Sequence, residues 1–206
     1  MVIFPALFFM WAALWVYSFI SAGKKLEAFS KKCELHDFHS GGIVIICFLS
    51  LYHNNDTVFP ERLGNIFSIS YFLVDWADCL VRFDAPFLVH ATLSLLAIGG
   101  CYFSPAHQMY RSASKVLLIE ASTPLLHIWH KSKKKKDLMT FFVVFTACRI
   151  LWFPYFLCKA FMEPSLPLDF VFFSSVLLLP LQILWWIKMT AMLLSYKEKK
   201  SEKTTS

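Results

Sequence analysis

The chain is predicted to fold as an all-α bundle embedded in a membrane, with about seven transmembrane helices. Three observations carry the prediction. Of the 206 residues, 57% are hydrophobic, Phe alone accounts for 22, and 17% are charged; a soluble domain is nearer a quarter charged. Apolar stretches recur seven times, most of them near the roughly 20 residues that span a bilayer. The loops between them alternate between strongly basic and neutral or acidic, which is how polytopic proteins are oriented. A soluble core of this length could not bury so much apolar surface, so one membrane domain is the economical reading. The net charge of +6 comes largely from Lys clusters beside apolar stretches. Topology signals and anionic-lipid contacts sit in such places, so nucleic acid is not an expected partner.

The first stretch, 2–22, has no basic segment before it and no small-residue cleavage site, and Lys24 and Lys25 follow it. It is expected to be a retained span rather than a cleaved leader. The next spans are expected at 39–53, 66–82, 86–103, 116–129, 138–161 and 170–194. The second and fifth are short, so they are expected to tilt or to be extended by polar turns. Pro124 and Pro180 interrupt the fifth and seventh; membrane helices tolerate this where neighbours satisfy the freed carbonyl.

The loops set the orientation. Segment 23–36 holds Lys24, Lys25, Lys31 and Lys32, segment 131–136 has five Lys around Ser132, and 196–206 is again Lys-rich. Segments 54–62, 104–115 and 162–169 are near neutral, mildly basic and acidic. Seven crossings put every strongly basic segment on one side, expected to be cytosolic. The N-terminus is then lumenal or outside and the C-terminus cytosolic. The sequon Asn55-Asp56-Thr57 falls on the lumenal side, which makes Asn55 a glycosylation candidate. The expected organisation is a first helix with its basic loop (1–38), the main bundle (39–195) and a disordered cytosolic tail (196–206). Six Cys (33, 47, 79, 101, 148, 158) show no paired spacing and read as small buried hydrophobes.

Ionisable residues inside apolar stretches are costly and usually face a bundle interior. Asp75 and Asp78, three apart, share one helix face, and Arg82 lies four residues after Asp78. His90 stands early in the fourth stretch. Glu120, Ser122, Thr123 and His127 lie in the fifth, with Glu120 and His127 two turns apart on one face. Arg149 is near the middle of the sixth. A bundle could gather these groups into one polar centre. They could equally be structural pairs, with Arg149 neutralising Glu120 or Asp75 and His127 at the interface beside Trp129 and His130. An imidazole in an apolar run has few structural uses and can act as base or nucleophile near neutral pH, so His90 is the leading functional candidate. No phosphate loop, serine elbow, CxxC or HxxxH is present. His36 and His39 are a weak metal pair, and no metal is expected.

Four segments resemble the TLC-domain family, which includes ceramide synthases and translocating-chain-associated membrane proteins. Ser70-Tyr71-Phe72-Leu73-Val74-Asp75 is similar to its aromatic-rich helix ending in Asp. His90-Ala91-Thr92-Leu93-Ser94 is similar to its His-His-x-x-Ser/Thr helix. The segment from Leu117 to His127, with Glu120-Ala121-Ser122-Thr123-Pro124 at its centre, is similar to its Leu-Glu-x-Ser-Thr-Pro-Phe-Leu-Asn run. Arg149-Ile150-Leu151-Trp152-Phe153-Pro154 is similar to its late Arg-Ile helix. The resemblance covers nearly the whole chain and is nearest to the short TLC-domain-containing proteins. It departs from the synthases in that Ala91 replaces the second histidine, His127 stands where the family has Asn, and the Asp-x-x-Ser-Asp-type run is missing.

The resemblance implies a multi-pass protein of the endoplasmic reticulum, with Golgi or plasma membrane as alternatives, that binds or regulates membrane lipid. The alternative is an acyl-CoA-dependent N-acyltransferase of the ceramide synthase kind, with His90, Asp75 and Glu120 as catalytic groups. Asp78, Thr123, His127 and Arg149 would then complete the polar centre. Acyl-CoA would be a co-substrate and no other cofactor is expected. The basic segment 131–136 could attract the CoA phosphates, although a topology anchor is the simpler use. His127 could supply the second imidazole in place of Ala91. A second alternative is a translocon-associated or transport-assisting protein. Membrane lipids are the expected partners, and a homodimer is compatible with the fold.

Overall fold

A computed structural model describes the backbone of residues 3–20 and 25–202, and the side chains of 5–14, 16–17 and 34–196. The described chain is helical throughout. The order is α1 (Ile3–Ile20), α2 (Lys25–His53), α3 (Glu61–Arg82), α4 (Ala85–Phe103), the short α5 (Pro105–Met109), α6 (Ser112–Leu117), α7 (Thr123–Ser132), α8 (Lys135–Phe145), α9 (Phe153–Phe161) and α10 (Phe170–Glu202).

Two breaks are only local. A 3-10 turn, Leu118–Ser122, joins α6 to α7, and a π-helical stretch, Thr146–Trp152, joins α8 to α9. Each ends just before a proline, Pro124 and Pro154. Proline lacks an N–H and its ring crowds the carbonyl four residues back, so the regular ladder cannot pass through it. The chain tightens before the first and widens before the second. Joining the pieces gives seven continuous rods: α1, α2, α3, α4, α6–α7, α8–α9 and α10. Among the described residues, four segments are long and apolar enough to cross a membrane: Glu34–His53 in α2, Ala85–Phe103, Lys135–Phe161 and Phe170–Tyr196. Helix α3 carries Glu61, Arg62, Asp75, Asp78 and Arg82, which sets it apart from those four.

The basic segment expected as a loop at 23–36 is helical from Lys25 onward. Nothing in Lys25–Ser40 breaks a helix, and Lys, Leu, Glu and Ala all favour one, so polar turns prolong the apolar segment. Of the expected tail, α10 includes the backbone to Glu202, while residues 203–206 and the side chains from 197 lie outside the described residues. Lys24, Lys25, Lys31, Lys32 and Cys33 likewise have no described side chains.

The rods pack with their loops sorted to two ends. At one end Arg111 donates to Asn54 (3.0 Å) and Asp56 (3.1 Å), Arg62 donates to Gln108 (3.0 Å), and His107 meets Asp169 at 3.4 Å. Segments 54–62, 104–115 and 162–169 therefore meet there. At the other end Lys131 faces Glu34 (3.9 Å), His127 faces Asp37 (2.6 Å), and the Tyr196 hydroxyl donates to the Lys133 carbonyl (3.1 Å). This is the alternation that the loop charges anticipate.

The main core gathers Trp11, Ile43, Phe72, Ile98, Leu117, Phe153 and Leu178 from all the rods. Trp11 of α1 lies edge-on to Phe67 and Tyr71 of α3 and within 6.0 Å of His39 of α2. Gly100 lets α4 approach α10, because a methyl there would overlap Val171 and Phe170. The outward faces are apolar: Phe48, Val81, Leu96, Val143, Leu151, Leu177 and Ile187 are all exposed. Such a surface suits lipid rather than water.

Candidate functional site

The buried polar centre is built where the two irregular stretches face each other. Glu120 lies in the 3-10 turn and Arg149 in the π-helical stretch, 7% and 6% exposed. Their closest atoms, Glu120 Oε1 and Arg149 Nη2, are 3.5 Å apart. Glu120 Oε2 also accepts from the Thr123 hydroxyl (2.8 Å) and from Ser40 of α2 (3.3 Å). Arg149 donates to Ser122 (3.0 Å), Thr123 (3.2 Å) and Gln182 of α10 (3.1 Å), and its guanidinium lies 5.3 Å from the Phe145 ring. The arrangement is a neutral, multiply hydrogen-bonded ion pair linking four rods. Burying an ion pair is tolerable only when its remaining donors and acceptors are filled, as they are here.

His90 is on the next helix, within electrostatic reach of Arg149 and Glu120. Its immediate neighbours, however, are aromatic. The Trp185 ring is 5.4 Å away and the Phe72 ring 6.4 Å, both edge-on. Its Nδ1 is enclosed and has no hydrogen-bond partner among the described residues. Trp76 reaches α4 by another route, donating to Thr92 at 3.0 Å.

The remaining predicted residues are distributed elsewhere. Asp78 is engaged by Arg82 at 2.7 Å, the i,i+4 pairing that the spacing suggested. Asp75, Asp78 and Cys79 offer ligand atoms within 4.8 Å of one another, a possible cation-binding trio that already has the Arg82 guanidinium beside it. His127 is engaged with α2. Its Nδ1 meets Asp37 at 2.6 Å, and its ring lies 5.8 Å from that of His36. His36 bonds in turn to the Tyr71 hydroxyl, and His39 stacks on the Tyr71 ring at 3.8 Å while its Nε2 meets Ser68 at 3.1 Å. Three imidazoles, one phenol and one carboxylate thus cluster near the end that carries the basic segments. Asn55 is exposed, and its Oδ1 accepts from the Thr57 amide (2.9 Å) and hydroxyl (2.7 Å).

Two polar groupings were not legible beforehand. Glu61, 1% exposed, accepts from Ser50 (2.6 Å) and from the amide (2.8 Å) and hydroxyl (2.5 Å) of Ser114, with Arg111 at 3.7 Å. Arg111 holds a left-handed backbone (φ 54) that starts α6. At the same end His107 bridges Ser112 (3.0 Å) and Asp169 (3.4 Å), and Asp169 also caps α10 through the Val171 amide (2.9 Å). The only sequence signal was an acid and an arginine at the edges of apolar stretches.

The segments that build the Glu120–Arg149 centre are those that resembled a known family, and the chain matches the TLC domain over residues 3–191. The chain belongs to the TLC-domain family. No curated protein and no solved structure matches it. It is therefore an integral membrane protein of a family with lipid-related functions.

Proposed function

We propose that this TLC protein contacts membrane lipid and influences lipid composition without transferring acyl groups at His90. The surroundings of His90 carry this reading. General acid–base or nucleophilic work needs a proton partner within about 3 Å. Here the imidazole is flanked by Phe72 and Trp185, position 91 is Ala, and the nearest family carboxylate, Glu120, is already bound to Arg149, Thr123 and Ser40. Cells expressing wild type or His90→Ala at equal level should show the same displacement of membrane lipid composition. Its loss in His90→Ala, with the protein still folded, would refute the reading.

An acyltransferase is the second reading, and one observation favours placing it elsewhere. The His127–Asp37 pair at 2.6 Å, with His36 alongside, has the carboxylate–imidazole geometry that His90 lacks. The basic segment 131–136 would bring acyl-CoA to that end. If transfer occurs, His127→Asn removes it and His90→Ala leaves it.

The loop arrangement supports seven crossings with the N-terminus lumenal and the C-terminus cytosolic, and residence in the endoplasmic reticulum is proposed from family membership alone. Asn55 then lies on the glycosylated side. A mobility shift abolished by endoglycosidase and by Asn55→Gln is the expected result; a glycan acquired by an acceptor engineered into 131–136 would reverse the orientation.

A further inference from the structure

We propose that the outer face of α8 and the tight turn before it form a binding site for an anionic phospholipid. A shallow, open depression on this face is lined by Lys135, Lys136, Met139, Thr140, Val143 and Val144, all on α8. The two lysines are at one end and the apolar wall is at the other. At 1.5 Å per residue, Lys136 to Val144 covers roughly 12 Å along the helix, the reach from a headgroup well into an acyl chain. The Thr140 hydroxyl is turned back onto the Lys136 carbonyl (3.1 Å), so the wall is not interrupted by a free donor.

The turn is built rather than merely charged. Lys133 takes a left-handed backbone (φ 53) that ends α7, and its amide donates to the Trp129 carbonyl at 2.8 Å. Its carbonyl accepts from Tyr196 and its ammonium lies 5.0 Å from the Trp129 ring. Ser132 donates to Asp137 and accepts from the Lys134 amide (3.2 Å), closing the turn. Lys131 is matched by Glu34. That leaves Lys134, Lys135 and Lys136, all exposed, with no ion-pair partner among the described residues. Setting an orientation needs only a count of positive residues. Three ammonium groups with no ion-pair partner among the described residues, at one end of an apolar helix face, ask for an amphiphile with a net negative head. A zwitterionic headgroup brings its own cation and gains less.

The site uses neither His90 nor the bundle interior, so it stands or falls apart from the reading of His90. The test is native mass spectrometry of the full chain released from nanodiscs holding equal phosphatidylserine and phosphatidylcholine. Wild type should retain the serine lipid preferentially. Each lysine near the headgroup layer is worth roughly fivefold, so a triple Lys→Gln change at 134–136 should lower the preference by up to roughly a hundredfold. The triple Lys→Arg change keeps the charge and the orientation signal and should keep the preference. Val143→Trp, which fills the depression and leaves every lysine, should lose retained lipid. Equal retention of both lipids by wild type, unchanged preference in the Gln variant, or loss in the Arg variant would each overturn the proposal. So would displacement of the lipid by soluble coenzyme A at equal concentration, which would assign the lysines to a nucleotide phosphate instead.

Discussion

Removing one member of the Glu120–Arg149 pair should be far more damaging than removing both. Glu120→Leu deletes the only described carboxylate near the Arg149 guanidinium and leaves that charge among Phe145, Ser122, Thr123 and Gln182. Breaking a buried pair from one side costs about 3–5 kcal/mol. For a chain of this size each kcal/mol moves the melting temperature by about 2–4 °C, so the loss should be roughly 6–20 °C. Arg149→Met should cost a similar amount, because Glu120 keeps only Thr123 and Ser40. The double variant Glu120→Leu/Arg149→Met should recover most of the loss, since replacing a buried pair with apolar groups is often near neutral. Thermal unfolding of the detergent-purified variants, followed by size-exclusion of the surviving fraction, measures the cycle. Strictly additive losses, or single changes within about 1 kcal/mol of wild type, would refute the claim that the two groups act as a coupled pair.

Glu61→Gln should destabilise the end formed by 54–62 and 104–115 by about 1–3 kcal/mol, because Arg111 loses a nearby charge and the Ser114 amide loses a charged acceptor; limited proteolysis should then cut 54–62 faster, and unchanged cleavage would contradict the assignment. Gly100→Ala should cost about 1–3 kcal/mol through overlap with Val171 and Phe170, and a stable Gly100→Leu variant would show that α4 and α10 do not pack this closely. Partial burial and then the neighbouring Lys133 hold the His130 imidazole below its ordinary range. A depressed histidine binds fewer protons folded than unfolded, so its contribution to stability is present above the unfolded value and lost as pH falls through the folded one. Lys133→Gln should raise the His130 pKa in an NMR titration, and an unmoved value would remove Lys133 as a cause.

The apolar rods were readable because a bilayer demands long hydrophobic runs; of the two prolines expected to interrupt helices, Pro124 follows an irregular turn, whereas Pro180 lies inside an unbroken α10. Pro124 drew attention as an interruption. Its effect, a tightened turn carrying Glu120, follows from a missing amide that no composition rule locates. The π-helical stretch before Pro154 was not anticipated, yet it is what presents Arg149 to that turn. That Arg149 would pair with Glu120 or Asp75, and Arg82 with Asp78, was legible because an unmatched charge in lipid is so costly; packing selects Glu120. His127 could not be placed from sequence, since its partner Asp37 is 90 residues away and was assigned to the edge of a basic loop. His90 was ranked highly for lying in an apolar run. The rings of Phe72 and Trp185 reach His90 only through tertiary packing. The Glu61–Arg111 network was missed for a similar reason, as both residues sit at helix ends that read as ordinary polar turns.

The central claim is lipid contact without acyl transfer at His90. Incubating the purified, lipid-containing protein with radiolabelled acyl-CoA and candidate long-chain amines, for wild type and His90→Ala in parallel, tests it most directly. Lipid should co-purify with both proteins, and His90→Ala should change neither lipid occupancy nor the absence of label on the amine. Label moving to the amine or onto the wild-type protein, and abolished by His90→Ala, would contradict it.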